Sequence, residues 1–129
     1  MKLRLKLILL VGVLSGCGTT LTKEQIEAAD YGQPQSQAVC EAKAAEKVKA
    51  SLKDPESARF EFGVCEKKYY PGVVLYGIPR HFGYGMQFTV NAKNSFGGYV
   101  GKQNYLAVIN NGNVIRCIRF NKKGLPEVC

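Results

Sequence analysis

Five cysteines, one histidine and a run of asparagines, aromatics and small residues around position 95 carry most of the reactive chemistry in this 129-residue chain. Beyond Cys17, the thiols are Cys40, Cys65, Cys117 and Cys129, spaced 25, 52 and 12 residues apart. No Cys-x-x-Cys pair is present, so the spacing fits two disulfides better than a metal site. His81 lies in a glycine-proline loop with no carboxylate or cysteine at ligand spacing, and reads as a surface or packed histidine. Ser36, Ser51, Ser57 and Ser95 include none in a Gly-x-Ser-x-Gly elbow. Of the ten acids, five fall on one helix or near the amino terminus, where solvation accounts for them better than glycosidic chemistry. Neither a catalytic constellation nor a cofactor is expected. Asn94-Ser95-Phe96-Gly97-Gly98 lacks the lysine and the following helix of a phosphate loop. What this stretch does offer is recognition chemistry. Asn91, Lys93, Asn94 and Ser95 can exchange hydrogen bonds with a glycan or peptide, while Phe96 and Tyr99 present stacking faces. The competing reading is a hairpin turn, with asparagines satisfying the backbone and glycines supplying positive φ.

Cys17 belongs to a different context. Lys2, Arg4 and Lys6 form a positive n-region, and an apolar run from Leu7 to Leu14 follows, interrupted only by Gly12. Small residues at 15 and 16 precede the cysteine, giving the layout of a secretory signal too short to span a bilayer. Leu14-Ser15-Gly16-Cys17 resembles the lipobox of bacterial lipoproteins. That resemblance implies cleavage before Cys17, a diacylglyceryl group on its thiol and acylation of the new amine. Each buried methylene is worth about 0.8 kcal/mol, so two or three acyl chains hold where one would not. Gly18 rather than Asp follows the cysteine, which in this family favours the outer membrane, facing the periplasm. Processing removes three cations and lowers the net charge from +8 to +5. The mildly basic remainder suits anionic envelope partners, whereas Lys67-Lys68 and Lys122-Lys123 are isolated pairs that give no nucleic-acid footprint.

Three segments follow: a signal peptide over 1–16, an anchor and flexible tether over 17–35, and one periplasmic domain over 36–129. A twenty-residue flexible linker spans about 25 Å, and Thr22 with Gln25 could cap a short helix within it. Residues 36–53 read as an amphipathic helix, with Cys40, Ala44 or Ala45, Val48 and Leu52 on one face. Asp54-Pro55 stops it. Two-residue alternation then marks strands over 58–70, 86–92, 99–109 and 114–120, the last two joined at Asn111-Gly112, a strong hairpin signal. Residues 71–85 read as a long loop with a brief strand. The expected fold is α+β, one amphipathic helix on a small antiparallel sheet of about four strands, stapled by disulfides.

Length suggests how the cysteines pair. The helix advances about 20 Å from Cys40, and the first strand returns about 23 Å to Cys65. Strand parity opposes this match, because Cys65 should face away from Phe60 and Phe62, unless a bulge at Gly63 reverses it. Cys40–Cys65 with Cys117–Cys129 is therefore one pairing, and Cys65–Cys117 its main rival.

Ala29-Asp30-Tyr31-Gly32, Leu52 to Ala58 and Asn91 to Gly101 together resemble a recurring order in small bacterial envelope and phage-associated proteins. That resemblance implies no activity. The expected role is a non-enzymatic lipoprotein bound to the bilayer through acylated Cys17 and engaging peptidoglycan or an envelope protein. The alternative is an inhibitor or exclusion factor against a lytic enzyme, phage or plasmid, and a cell-wall enzyme comes last. A palmitate label is expected to enter the parent protein in cells but not the Cys17→Ala variant; label in both would overturn the lipoprotein reading.

Overall fold

Ser36 starts the main helix by accepting the Val39 amide on its Oγ, filling one of the donors that a helix start leaves open. The computed structural model describes residues 20–129, so the expected signal peptide and Cys17 lie outside the described residues. Helix α2 spans Gln37–Lys49. It ends four residues before the predicted Lys53, in a turn tightened by the Ser51 and Leu52 amides donating to Val48 and Lys49 carbonyls. Cys40, Ala44 and Val48 recur every four residues and are fully buried.

The sheet is wholly antiparallel and has six strands, where about four were expected. These are β1 (Arg59–Phe62), β2 (Glu66–Tyr70), β3 (His81–Asn91), β4 (Gln103–Asn110), β5 (Asn113–Phe120) and β6 (Pro126–Val128). The order is β1-β3-β4-β5-β6, with β2 paired to the same edge of β3 as β1. Thus the single strand expected over 58–70 is divided in two. Strand β3 also starts five residues before the predicted Met86. Its Phe82, Gly83, Tyr84 and Gly85 lack the continuous apolar alternation that marks a strand, because the glycines serve close approach. A Cβ on Gly83 would lie 2.6 Å from the Ile109 carbonyl oxygen, and the Tyr70 ring occupies the space above Gly85.

The break between β1 and β2 is a bulge. Phe62 pairs with Phe88 and Glu66 with Gly85, so residues 63–65 face only two residues of β3. Val64 is turned outward and Cys65 inward, which reverses the parity of the strand. The Gln37 side chain fills the opened backbone positions: its Nε2 donates to the Gly63 carbonyl at 2.8 Å, and its Oε1 accepts the Cys65 amide at 2.8 Å. The disulfides are Cys40–Cys65 and Cys117–Cys129.

Both faces of the sheet are covered. Under α2 lie Met86, Phe88, Val90, Tyr105, Ala107, Ile109 and Cys117. On the opposite face, Ile78 of the 71–80 loop packs on Leu106, Val108 and Ile118. The described part of the expected flexible tether is held to the domain. Helix α1 (Lys23–Glu27) carries the Thr22–Gln25 capping box. Tyr31 is buried against Phe82, and the Gln33 amide donates to Asn111 Oδ1.

Loop-closure entropy predicts that the double variant Cys40→Ala/Cys65→Ala loses about 3.5 kcal/mol of stability, and the Cys117/Cys129 pair about 3 kcal/mol. Denaturant midpoints of the two variants against the parent check both values.

Candidate functional site

The side chains singled out between residues 91 and 101 are brought together mainly to build a turn. Asn94 Oδ1 accepts the amides of Phe96 and Gly98, and Asn91 Oδ1 accepts that of Gly101. Both asparagines are thus occupied by their own backbone. The Lys93 amide donates to Ser57 Oγ, and the Tyr99 hydroxyl donates to the Ser57 carbonyl, tying the hairpin to the turn before β1. The Arg59 guanidinium sits 4.1 Å from the Tyr99 ring centroid and the Lys93 ammonium 5.5 Å away, so cations already cover this ring. Ser95 is exposed. Phe96, 97% exposed at the tip, is the aromatic with its faces open to solvent.

A better-formed site lies on the helix-free face of the sheet. Leu106, Val108, Ile118 and Phe120 form the floor of a cleft of about 280 Å³, and Tyr70, Val73, Tyr76, Ile78 and Pro126 form its walls. A second bulge puts the floor together. Val108 pairs with Arg116, but Ile109 pairs with Val114, so Ile115 is the extra residue. Val114 stays with the core beneath α2, while Arg116 and Ile118 turn onto the opposite face.

The polar groups of the cleft are few and their states are set by burial. Arg116 Nε donates to His81 Nε2 at 3.2 Å. Burial, followed by the Arg116 charge, holds the His81 pKa below its usual range, against a backbone hydrogen bond with Pro79 that favours the charged form. His81 is thus neutral at pH 7 and accepts from the guanidinium, fixing its direction. Burial, with help from the Glu66 carboxylate, pushes the Tyr70 phenol up to about 12, so it remains a hydroxyl. Among the described residues, no carboxylate lies within ion-pair distance of Arg116. A more polar hollow of about 600 Å³ adjoins the cleft across Phe120, with Gln87, Thr89, Asn104 and Glu61 along it.

Charge is segregated along the chain in the same sense. The sixty residues from Lys67 to Pro126 hold nine lysines and arginines and not one Asp or Glu. They include β3, β4, β5 and the 71–80 loop. The cleft therefore joins an apolar interior to a cation, and no Asp or Glu is among its lining residues. It suits a ligand group that is apolar with an anionic neighbour.

Sequence reasoning passed over this site because His81 and Arg116 are 35 residues apart, and a bulge sets the face of Arg116. One signal was present: Tyr105-Leu106-Ala107-Val108-Ile109 is a continuous apolar run, which marks a strand buried on both faces. Among the described residues, no group of three or more His, Cys, Asp or Glu could hold a metal ion, and no helix is long and apolar enough to cross a membrane. Comparison with known protein families, curated proteins and solved structures finds no match to this chain.

The lowered pKa of His81 fixes the sign of a pH effect. A neutral native histidine binds fewer protons than the unfolded one, so its stabilisation is present above the ordinary value of 6.5 and is lost as pH falls through the native pKa. Between about pH 7.5 and pH 5, the Tm of the parent is expected to fall further than that of His81→Gln, as read by thermal melts. Equal slopes would contradict the assignment.

Proposed function

We propose that this chain is a lipid-anchored bacterial envelope lipoprotein of non-enzymatic, binding or assembly-accessory function, and that it binds its partner through the helix-free cleft. The anchor is acylated Cys17, and the location the outer membrane, with the domain in the periplasm. The partner is a peptide segment of an envelope protein that presents a large apolar side chain beside a carboxylate. The observation carrying this reading is the apolar cleft with Arg116 at its edge, oriented by neutral His81 and lacking a carboxylate partner among the described residues. A buried apolar side chain gives about 1.5–3 kcal/mol. A charge-assisted hydrogen bond to Arg116 adds about 1.5–3 kcal/mol and sets the direction of the segment.

The two disulfides support this role in an oxidising compartment, where thiols persist as cystines. They hold the helix and the carboxyl-terminal strand to the sheet without drawing on the cleft face.

Photo-crosslinking in intact cells tests the reading. A cross-linker at Tyr76, on the cleft wall, is expected to trap one defined protein, whereas one at Lys43 on α2 traps none. Arg116→Glu is expected to reduce the Tyr76 adduct about tenfold or more, the value of one charge-assisted hydrogen bond. Equal trapping from both positions, or an adduct indifferent to Arg116→Glu, would sink the cleft as the binding site. Release of fragments from peptidoglycan by the purified protein alone would sink the non-enzymatic reading.

A further inference from the structure

The wall of the cleft ends in an unusual tip. Residues 73–78 read Val-Val-Leu-Tyr-Gly-Ile and close on themselves: the Val73 amide donates to the Ile78 carbonyl at 2.8 Å, and the Ile78 amide returns to Val73 at 3.1 Å. One turn of 3-10 helix, Val74–Tyr76, fills the loop and stops at Gly77, whose φ of +63° suits a residue without a Cβ. Val73, Tyr76 and Ile78 face the cleft. Val74 and Leu75 do not: they are 96% and 87% exposed, side by side on a backbone locked by its own hydrogen bonds. Ordered display of two adjacent aliphatic side chains to water is costly, at about 1.5–3 kcal/mol each relative to burial.

We propose that this loop inserts Val74 and Leu75 into the acyl boundary of an anionic bilayer, the same bilayer that holds acylated Cys17; the inference rests on the lipoprotein reading. Two observations choose a bilayer over other apolar partners. The first is charge complementarity. The loop sits inside the sixty-residue stretch that has nine cations and no acid, and Arg80 follows it closely. Basic side chains beside apolar ones are the composition that binds anionic lipid surfaces. The second is where the anchor comes out. Both ends of the loop join the sheet at the Tyr70–His81 pair, next to Phe82. Tyr31 packs edge-on against that same Phe82 at 5.6 Å between ring centroids, so the amino-terminal segment reaches the sheet at the root of the loop. Only four residues lie between Cys17 and the Thr22 cap, so the five steps reach at most about 18 Å. The acyl chains and the tip are therefore tethered to one end of the sheet. Phe96, also exposed, is on the hairpin that follows the opposite end of β3.

The chain contains no tryptophan, so one introduced indole reports on its own position. The full-length protein would be purified from membranes in its processed form. It would then be reconstituted as Leu75→Trp, and separately as Phe96→Trp, into vesicles containing phosphatidylglycerol or only phosphatidylcholine. Flotation reads anchoring, and quenching by brominated lipid reads insertion of the indole. The expected result is a blue-shifted, strongly quenched indole for Leu75→Trp in the anionic vesicles, with quenching at least about threefold weaker in phosphatidylcholine or at high salt. The indole of Phe96→Trp should stay unquenched in both. Val74→Asp added to Leu75→Trp should abolish the quenching while flotation persists. Flotation of Leu75→Trp with its indole unquenched, or quenching of Phe96→Trp instead, would overturn the insertion while leaving the lipoprotein reading standing. Failure of the protein to float or to take up palmitate at Cys17 would overturn the lipoprotein reading. In that case, quenching of Leu75→Trp by added anionic vesicles would show that the loop inserts without an anchor, and no quenching would dispose of both.

Discussion

The domain depends on the way its first strand is broken at Gly63. Strands have a period of two, so an unbroken strand from Arg59 would send Cys65 to the face opposite Phe60 and Phe62, away from the helix. One additional residue restores it to the core, where it meets Cys40. A break in an edge strand normally leaves an amide and a carbonyl unpaired, at a cost of about 1–3 kcal/mol for each buried group. Here the Gln37 amide meets both, as donor to Gly63 and acceptor from Cys65. The first residue of α2 is thus the patch for the strand it packs on, and the disulfide one turn later makes the attachment covalent. Gly63 is suited to the position because a Cβ would press on the Gln87 carbonyl oxygen at 2.6 Å. Helix position, strand parity and the first disulfide are one arrangement.

The parts of the fold legible in the sequence are those governed by local periodicity. Cys40, Ala44 and Val48 mark a helix face directly, and Asn111-Gly112 marks the β4–β5 hairpin, with both residues at positive φ as a tight turn requires. The departures have specific causes. Gly83 and Gly85 weaken the strand pattern at the start of β3 because the space above them belongs to Tyr70 and Ile109. Strand β6 is three residues long and is held by Cys129, whose amide donates to the Cys117 carbonyl, and by the Arg119–Glu127 ion pair. Such a segment carries too few residues for periodicity to register. The approach segment read as a linker because Asp30-Tyr31-Gly32-Gln33 is polar. It is docked through one buried ring and backbone bonds to distant asparagines, which no local pattern reports.

The candidate site was less legible, for a related reason. Asn91 and Asn94 carry recognition chemistry by type, but a short polar side chain at a turn finds its own backbone first. The cleft, in contrast, is built from residues of bland type whose facing is decided by the bulge at Ile115. Without that extra residue Val114 and Arg116, two positions apart, would share one face; with it they take opposite faces. Two bulges thus divide the molecule's labour between its faces. That at Gly63 closes the helix side with a disulfide, and that at Ile115 delivers a cation to the open side.

This division would keep stability and the proposed recognition from competing in so small a domain. The core beneath α2 and both cystines sit on, or at the edge of, one face, so the opposite face is free to keep an incompletely filled apolar surface. Its cover, the 71–80 loop, is secured by Ile78, packed with Leu106, Val108 and Ile118, and by its own backbone hydrogen bonds. The loop therefore presents two chemically different sides on one rigid turn, with Val73 and Tyr76 inward and Val74 and Leu75 outward. A partner segment entering the cleft and a bilayer meeting the tip would press on opposite sides of the same few residues. Because the turn is closed by its own backbone hydrogen bonds, both contacts could be made at once from its two sides without displacing each other.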